Sequence, residues 1–521
     1  MIRARRLPGT FAGVLIPLAL FLHAAAAQEA SAPTVTGDII PEHGKYTAAY
    51  QSDWSRLPTG DVLARKNLAG IEFQDVQGEQ VKKEWRGEKK VVISNLNLRV
   101  KWQQPKADKF GTTLFYIEDA DEVVIENLSI ISENPDYRQY HTIYIEGANR
   151  VTIRNLYLAG TVQMYHIRLE GCRDVFIDNV EIAGIDYSGN GRHRLGGGIW
   201  INNGDGKPGL PALTAKNPKL PGWQIVQNCY IHDNTEDDGV GRNHDGVLVH
   251  SASNGLLFNC VVENWLRPGS DAALDMSFRR DEPEYQDRFF RIERNIVKNS
   301  TFYKSVGRVP GPDTLFFANN LFINSTLGDY HREASDTVFV NNTYIFDLTK
   351  APLVLKGFVA RGSEGYACLW GYSGRTILNN GLLFKPSGNF FMFYQNAEPP
   401  EDKYKNFAPN HNIYAVGAAS TSWLRTAQQG VVFKTFEDWK AATSQDANSM
   451  LLKAGTDIFT DYAAGDYRPK KGALAAGIAD PVYLKPSEPN QKVDRDFNGV
   501  LRSKTSELVP GAFCVSEQAS L

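Results

Sequence analysis

Nine side chains between positions 144 and 275 are of the kinds that hold and process sugars: Tyr144, Glu146, His166, Arg168, Glu170, Trp200, Asn202, His250 and Asp275. Aromatic faces stack on sugar rings, while carboxylates and amides hydrogen-bond hydroxyl groups. Apolar residues alternate with them: Ile143 and Ile145 bracket Tyr144, Ile167 and Leu169 bracket Arg168, and Ile199 and Ile201 bracket Trp200. Val247 and Val249 lead to His250, and Leu274 and Met276 bracket Asp275. Such alternation marks a strand, and stacked strands of one sheet would place all nine side chains on one face. A charge on a strand face is ordinarily just solvated. A strip mixing aromatic, amide and charged groups reads instead as a binding groove, with Tyr144, His166, Arg168, Trp200 and Asn202 as substrate contacts.

Groups suited to acid–base work lie close to this strip in sequence. Arg279 and Arg280 follow Asp275 and can clamp carboxylates in a bidentate way. Lys304, within FYKSVGR, is a reasonable base because lysine shifts readily on burial. His232, His244 and His250 surround a loop that holds Asp237 and Asp238. That grouping suits a transition metal, though histidines near loops more often face water or make hydrogen bonds.

The elements that must position these groups form a repeat. Apolar alternation followed by an Asn recurs at Asn95, Asn127, Asn155, Asn179, Asn228, Asn259, Asn295, Asn320, Asn342 and Asn380. The spacings are 32, 28, 24, 49, 31, 36, 25, 22 and 38 residues. A period in the twenties and thirties signals a solenoid, since one repeat cannot bury its apolar face alone. Asn tolerates the left-handed backbone that a sharp corner needs. The fold expected is all-β: a right-handed parallel β-helix of about ten rungs, with its asparagines stacked in an internal ladder. The Gly- and Pro-rich interruptions 187–198, 204–222 and 232–245 fall beside the groove face, where long loops build sites.

Residues 1–27 read as a signal peptide: Arg3, Arg5 and Arg6, an apolar run from Phe11 to Leu22, then Ala24–Ala27 before Gln28. The run is short for a membrane span, and nothing later is apolar enough, so the mature chain is expected to be secreted or periplasmic. Residues 28–90 are expected to cap the solenoid, 91–415 to form it and 416–521 to be an irregular extension packed on it. Without the three leader arginines, 56 basic residues become 53 against 59 acidic ones, a net charge near −6. That argues against nucleic acid, which selects a basic surface. A monomer is expected. Five cysteines are too few for a disulfide framework. Cys229 and Cys260 each follow a ladder Asn and should stack, either bridged or as two buried thiols.

Three further passages support a family resemblance. FEDWKAATSQDANSM (Phe436–Met450), GDYRPKKGALAAG (Gly465–Gly477) and DRDFNGVLRSKTSELVPGAF (Asp494–Phe513) are similar to the tail of many exported bacterial β-helix enzymes. With the ladder, the chain resembles the pectate-lyase-like superfamily, most of whose members cut acidic polysaccharides. The resemblance implies Ca2+ on a D-x-x-x-D, matched by Asp271 and Asp275, with Asp245 opening the strand one rung earlier. A second family Asp in that strand is His250 here. Arg308, in Arg308-Val309-Pro310, looks like the family's catalytic base, but Asp313 stands where a second Arg would fall.

β-Elimination at a uronate removes the proton beside a carboxylate, which needs neutralising by a cation before the proton becomes acidic enough. Arginine holds its proton above pH 12, which makes Lys304 the better base on physical grounds. The expected function is therefore lyase action on an acidic polysaccharide, with Lys304, Arg308, Arg279, Arg280 and His250 as catalytic residues. The rival is hydrolysis on an aspartate pair, because Asn234-Thr235 and Asp237-Asp238 resemble polygalacturonase elements. Epimerisation and non-catalytic glycan binding are the remaining alternatives.

Overall fold

The computed structural model describes residues 66–515 except 67, 104–110, 137, 203–222, 237–243, 252–253, 267–271, 279–288, 301–313, 326, 329–335, 348, 350–366, 372–375, 387–390, 396–406, 418–422, 427–429, 475–476, 488–490 and 506–507. The chain is an all-β, right-handed parallel β-helix. Long strands at Lys90–Lys101, Glu122–Ser132, Arg150–Gly160 and Asp174–Ala183 stack in one-to-one register, with Leu96 on Leu128, Leu156 and Val180. The ladders start before position 91, because Gln74–Gln77 already pairs with Leu98–Lys101. They continue to Met450–Lys453, which pairs with Ile413–Val416.

Each long strand bends at an Asn held in the left-handed region, with φ between 55° and 58° at Asn95, Asn127, Asn155 and Asn179. The internal ladder expected at these positions is corrected by the structure. Asn127 and Asn155 are exposed, and their stack lies outside the corner: Asn155 Nδ2 donates to Asn127 Oδ1 at 3.2 Å and Asn179 Nδ2 to Asn155 Oδ1 at 2.8 Å. Asn228 leaves the stack to donate to Asp178 Oδ1 at 2.6 Å, and Asn259 restarts it on Asn228. The next residue on each rung points inward: Leu96, Leu128, Leu156 and Val180, then Cys229 and Cys260. Both cysteines are buried free thiols.

Past Cys260 the pattern shifts by one. The residues at positive φ are Arg294, Asn319 and Asn341, so Asn295, Asn320 and Asn342 occupy the inward position. These three form the buried ladder. Asn295 Nδ2 donates to Asn320 Oδ1 at 3.1 Å, and Asn320 Nδ2 donates to Asn342 Oδ1 at 3.0 Å. At Asn319-Asn320 and Asn341-Asn342 two neighbouring asparagines hid the offset, since either one fits a corner, whereas before Asn295 the corner falls on Arg294. A second corner has no counterpart among the sequence expectations. Asp233, Asn264, Asn299 and Asn324 all sit at positive φ and are linked by side-chain amides.

The C-terminal segment closes the core and covers the later corners. Helix Phe436–Thr443, N-capped by Thr435, inserts Phe436 and Trp439 into the main apolar cluster. Trp439 Nε1 and the Tyr414 hydroxyl both donate to the buried Asp446 carboxylate. Arg294 Nε donates to Phe497 O at 2.7 Å, and Arg502 donates to Asn319 Oδ1 at 2.7 Å. Where these segments run, polar corner residues are sealed from water and need the partners they have.

Two substitutions separate the inner and outer ladders. Asn320→Ala would orphan the Asn295 amide inside the core and should cost about 3 kcal/mol. Asn127→Ala would add the left-handed strain of an exposed corner and release the Asn155 amide to water, about 1 kcal/mol. Urea midpoints should therefore fall further for the first. The reverse order would show that the outer corner, not the buried ladder, sets stability.

Candidate functional site

A separate seven-stranded parallel sheet carries the strip. In chain order its strands are Lys83–Arg86, Phe115–Glu118, Ile143–Glu146, Tyr165–Glu170, Gly197–Asn202, Val247–Ser251 and Leu274–Phe278. Ile143, Ile145, Ile167, Leu169, Ile199, Ile201, Val247, Val249, Leu274 and Met276 all join the apolar core, which fixes the register as expected. The residues between them form two rows on the outer face. One row runs Tyr116, Tyr144, Arg168, Trp200, Leu248, Asp275. The other runs Arg86, Glu118, Glu146, Glu170, Asn202, His250.

The first row is a stack of rings around a cation. Tyr116 and Tyr144 ring centroids are 5.2 Å apart, and the Arg168 guanidinium lies 4.0 Å from the Trp200 ring centroid and 5.2 Å from that of Tyr144. Arg168 also pairs with Glu170, its Nε donating to Oε1 at 2.9 Å. The Tyr144 hydroxyl donates to Glu146 Oε2 at 2.9 Å and to Glu170. Burial, then the Glu170 charge, raises the Tyr144 phenol far above its ordinary range, so it stays a donor. Tyr116, Glu118 and Arg86 were not singled out from sequence. The alternation in Phe115–Glu118 was their only signal.

The strip is more enclosed than a solvent-open face. Tyr144, His166, Asn202 and His250 are buried although their strand positions face away from the core. Along the second row, side-chain exposure falls from 56% at Arg86 to 30% at Glu118, 17% at Glu170 and 6% at His250.

His166 is not a substrate contact. Its Nδ1 lies 2.9 Å from Thr142 Oγ1 and its Nε2 2.9 Å from the Gly160 carbonyl, so both nitrogens are used within the fold. Because a carbonyl can only accept, the proton sits on Nε2 and Thr142 donates to Nδ1. His250 is the opposite case. Among the described residues neither of its ring nitrogens has a hydrogen-bond partner, nor do Trp200 Nε1 and Asp275 Oδ1. His250 Nε2 lies 3.8 Å from Asp275 Oδ2, beyond hydrogen-bond reach, and its ring meets Trp200 edge-on at 6.4 Å. Buried polar groups normally find partners, which sets this cluster apart from His166 among the described residues.

Of the expected Ca2+ trio, the two described members, Asp245 and Asp275, do not share a face. Asp245 shares the inward parity of Val247 and Val249 and is fully buried. Its Oδ2 accepts from the Tyr165 hydroxyl at 2.9 Å and its Oδ1 from the Ala272 amide at 2.8 Å, so its carboxylate braces a turn. Asp275 is on the outer face. Asp271, Arg279, Arg280, Lys304, Arg308, Asp237 and Asp238 lie outside the described residues. Among the described residues no three His, Cys, Asp or Glu groups converge on an ion site. The three histidines also separate. His232 sits between Asp233 and Glu181, at 2.9 and 3.2 Å, while His244 Nε2 donates to the Gln163 carbonyl.

Residues 87–264 match the family model for the right handed beta helix region. That stretch includes every site strand from Phe115 to Ser251 and stops short of Asp275. No curated protein matches the chain significantly.

The His166 geometry makes a pH prediction. Burial pushes its ring down to about 4 from the ordinary 6.5. The unfolded chain therefore takes up the proton first, so the contribution of the neutral ring is complete above pH 6.5 and is lost as pH falls toward 4. The loss amounts to about 3 kcal/mol for a fully buried group. Urea unfolding at about pH 7 and about pH 4.5 should show that fall in the parent and a smaller one in His166→Gln. An equal pH slope in both would remove His166 from the account.

Proposed function

We propose that the chain is an exported polysaccharide lyase, acting on a uronate-containing polymer at the outer face of the seven-stranded sheet. The observation that carries this reading is the enclosed pair His250 and Asp275, with three unpartnered polar groups of their own and Trp200 beside them. The finer likeness to pectate-lyase-like enzymes is part of the same proposal, supported by the coil, the tail passages and the groove chemistry.

In β-elimination a base takes the proton on the carbon next to the carboxylate. A double bond forms toward the neighbouring carbon, its glycosidic oxygen leaves, and that oxygen accepts a proton. His250 is the base, since imidazole is the commonest general base and its hydrogen bonds tighten only when substrate is present. Asp275, a carboxylate 3.8 Å from the ring, balances the charge that the ring gains once the proton is taken. Arg168 meets the uronate carboxylate, because its guanidinium is held flat on Trp200 and Tyr144 with donors left over beyond those on Glu170. Lys304, Arg308, Arg279 and Arg280 remain candidates for the second proton transfer and for further carboxylate contacts. The Asp245 carboxylate is committed to Tyr165 and Ala272, so no step here runs through a Ca2+ held by Asp245, Asp271 and Asp275.

A panel of acidic polysaccharides, incubated with the full chain and followed in the ultraviolet, tests this. The unsaturated product end should absorb, and His250→Ala should slow its appearance by about 10²–10⁴-fold. New reducing ends without that absorbance would move the assignment to hydrolysis. Elimination at the parental rate by His250→Ala would end the role given to His250.

A further inference from the structure

Asp245 is a fully buried acid that takes no part in the proton transfers proposed above. Its partners come from rungs on both sides of its own. The Tyr165 hydroxyl donates to Asp245 Oδ2 at 2.9 Å and accepts from the Asp245 amide at 3.2 Å, while Oδ1 accepts from the Ala272 amide at 2.8 Å. Register puts Tyr165, Gly197, Asp245 and Ala272 on one line across four strands. Tyr165 pairs with Gly197, and the ladder bonds from Gly198 N to Asp245 O and from Gly246 N to Ala272 O continue the line. Three residues further on, Arg168, Trp200, Leu248 and Asp275 form the next outward line on the same strands.

Tyr165 therefore reaches past a whole rung, a span of about 9–10 Å between strand axes. Its ring fills that gap because position 197 has no side chain: a Cβ there would come within 2.4 Å of the ring. A second link takes the same route, with His244 Nε2 donating to the Gln163 carbonyl at 2.7 Å. The Tyr165 ring also packs against Trp200, their centroids 5.1 Å apart. A hydroxyl that donates to and accepts from one residue is fixed in direction. Ladder bonds fix neighbouring strands only in pairs, whereas this chain of side chains ties the first strand to the third and the third to the fourth. We infer that the Tyr165–Asp245–Ala272 chain is a positioning device: it sets where His250 and Asp275 stand relative to Arg168 and Trp200, and Gly197 leaves the space it needs. Tyr165 and Asp245 are positioning residues, acting through the strands that carry the site. For its effect on rate this rests on the lyase reading, while the geometry it claims does not.

Two full-length variants test this: Tyr165→Phe, which removes one oxygen, and Gly197→Ala, which pushes the ring off its line. In both, amide hydrogen exchange over residues 272–278 should speed up by about tenfold, as for the loss of roughly one hydrogen bond, while exchange at Ile413–Val416 in a distant rung stays parental. The kcat for unsaturated product should fall by about 10–100-fold with KM near the parental value, since a shift of about 1 Å at reacting groups is enough. The ¹³C imidazole signal of His250 should move in both variants without ligand, and that of His232, held between Glu181 and Asp233, should not. Exchange unchanged over 272–278, or raised equally at Ile413–Val416, overturns the brace. Faster exchange with parental kcat, or an unmoved His250 signal in both variants, overturns its role in the site. If the parent releases no unsaturated product from any acidic polysaccharide, the lyase reading falls, and the exchange pattern and the His250 signal still decide the positioning claim.

Discussion

Every rung of this coil must pass a corner on a residue at positive φ, and in-register parallel stacking forces that corner to recur at one place. A left-handed backbone costs an ordinary residue about 1–2 kcal/mol. Asn, Asp and Gly meet the requirement with less strain, which is why Asn and Asp mark the turns at Asn127, Asn155, Asn179, Asp233 and Asn264. The residue after the corner then decides how the interior is filled. Leucine and valine suffice in the early rungs, and amides take over at Asn295, Asn320 and Asn342. A buried amide on one rung is tolerable only because the next rung supplies its partner.

The same rigidity accounts for the site. A corner repeated in register makes the strand after it repeat in register too, so side chains on successive rungs line up into rows. Two buried histidines on this one sheet differ in how they are held. His166 has both nitrogens tied to Thr142 and Gly160 and serves the fold. His250 has neither tied among the described residues and faces Asp275 and Trp200. Position on the sheet does not separate them. Satisfaction of their hydrogen bonds does.

Much of this was legible in the sequence because the period-two alternation and the longer rung repeat are both strong. The coil, the register of Ile199, Trp200 and Ile201, and the gathering of Tyr144, Arg168, Trp200, Asn202, His250 and Asp275 on one sheet all come from alternation. Parity also contained the correction for Asp245, two residues before Val247, but the motif outweighed it. Whether a polar side chain is used up inside the fold is not written in a pattern. His166 and Asp245 needed the contacts of Thr142, Tyr165 and Ala272, residues distant in sequence. The offset was hidden at Asn319-Asn320 and Asn341-Asn342 by paired asparagines and at Asn295 by an arginine in the corner before it, and the second corner by its mixture of Asp and Asn.

The central claim is that an acidic glycan reaches His250 and not the other buried histidines. The most direct measurement is the imidazole carbon signals of the chain's ten histidines, labelled with ¹³C and followed during titration with a uronate-bearing oligosaccharide. The account predicts that the His250 signal moves with the ligand, while those of His166 and of His232, which sits between Glu181 and Asp233, stay in place. A His250 signal that stays in place while the glycan binds, above all with His232 moving instead, would contradict it.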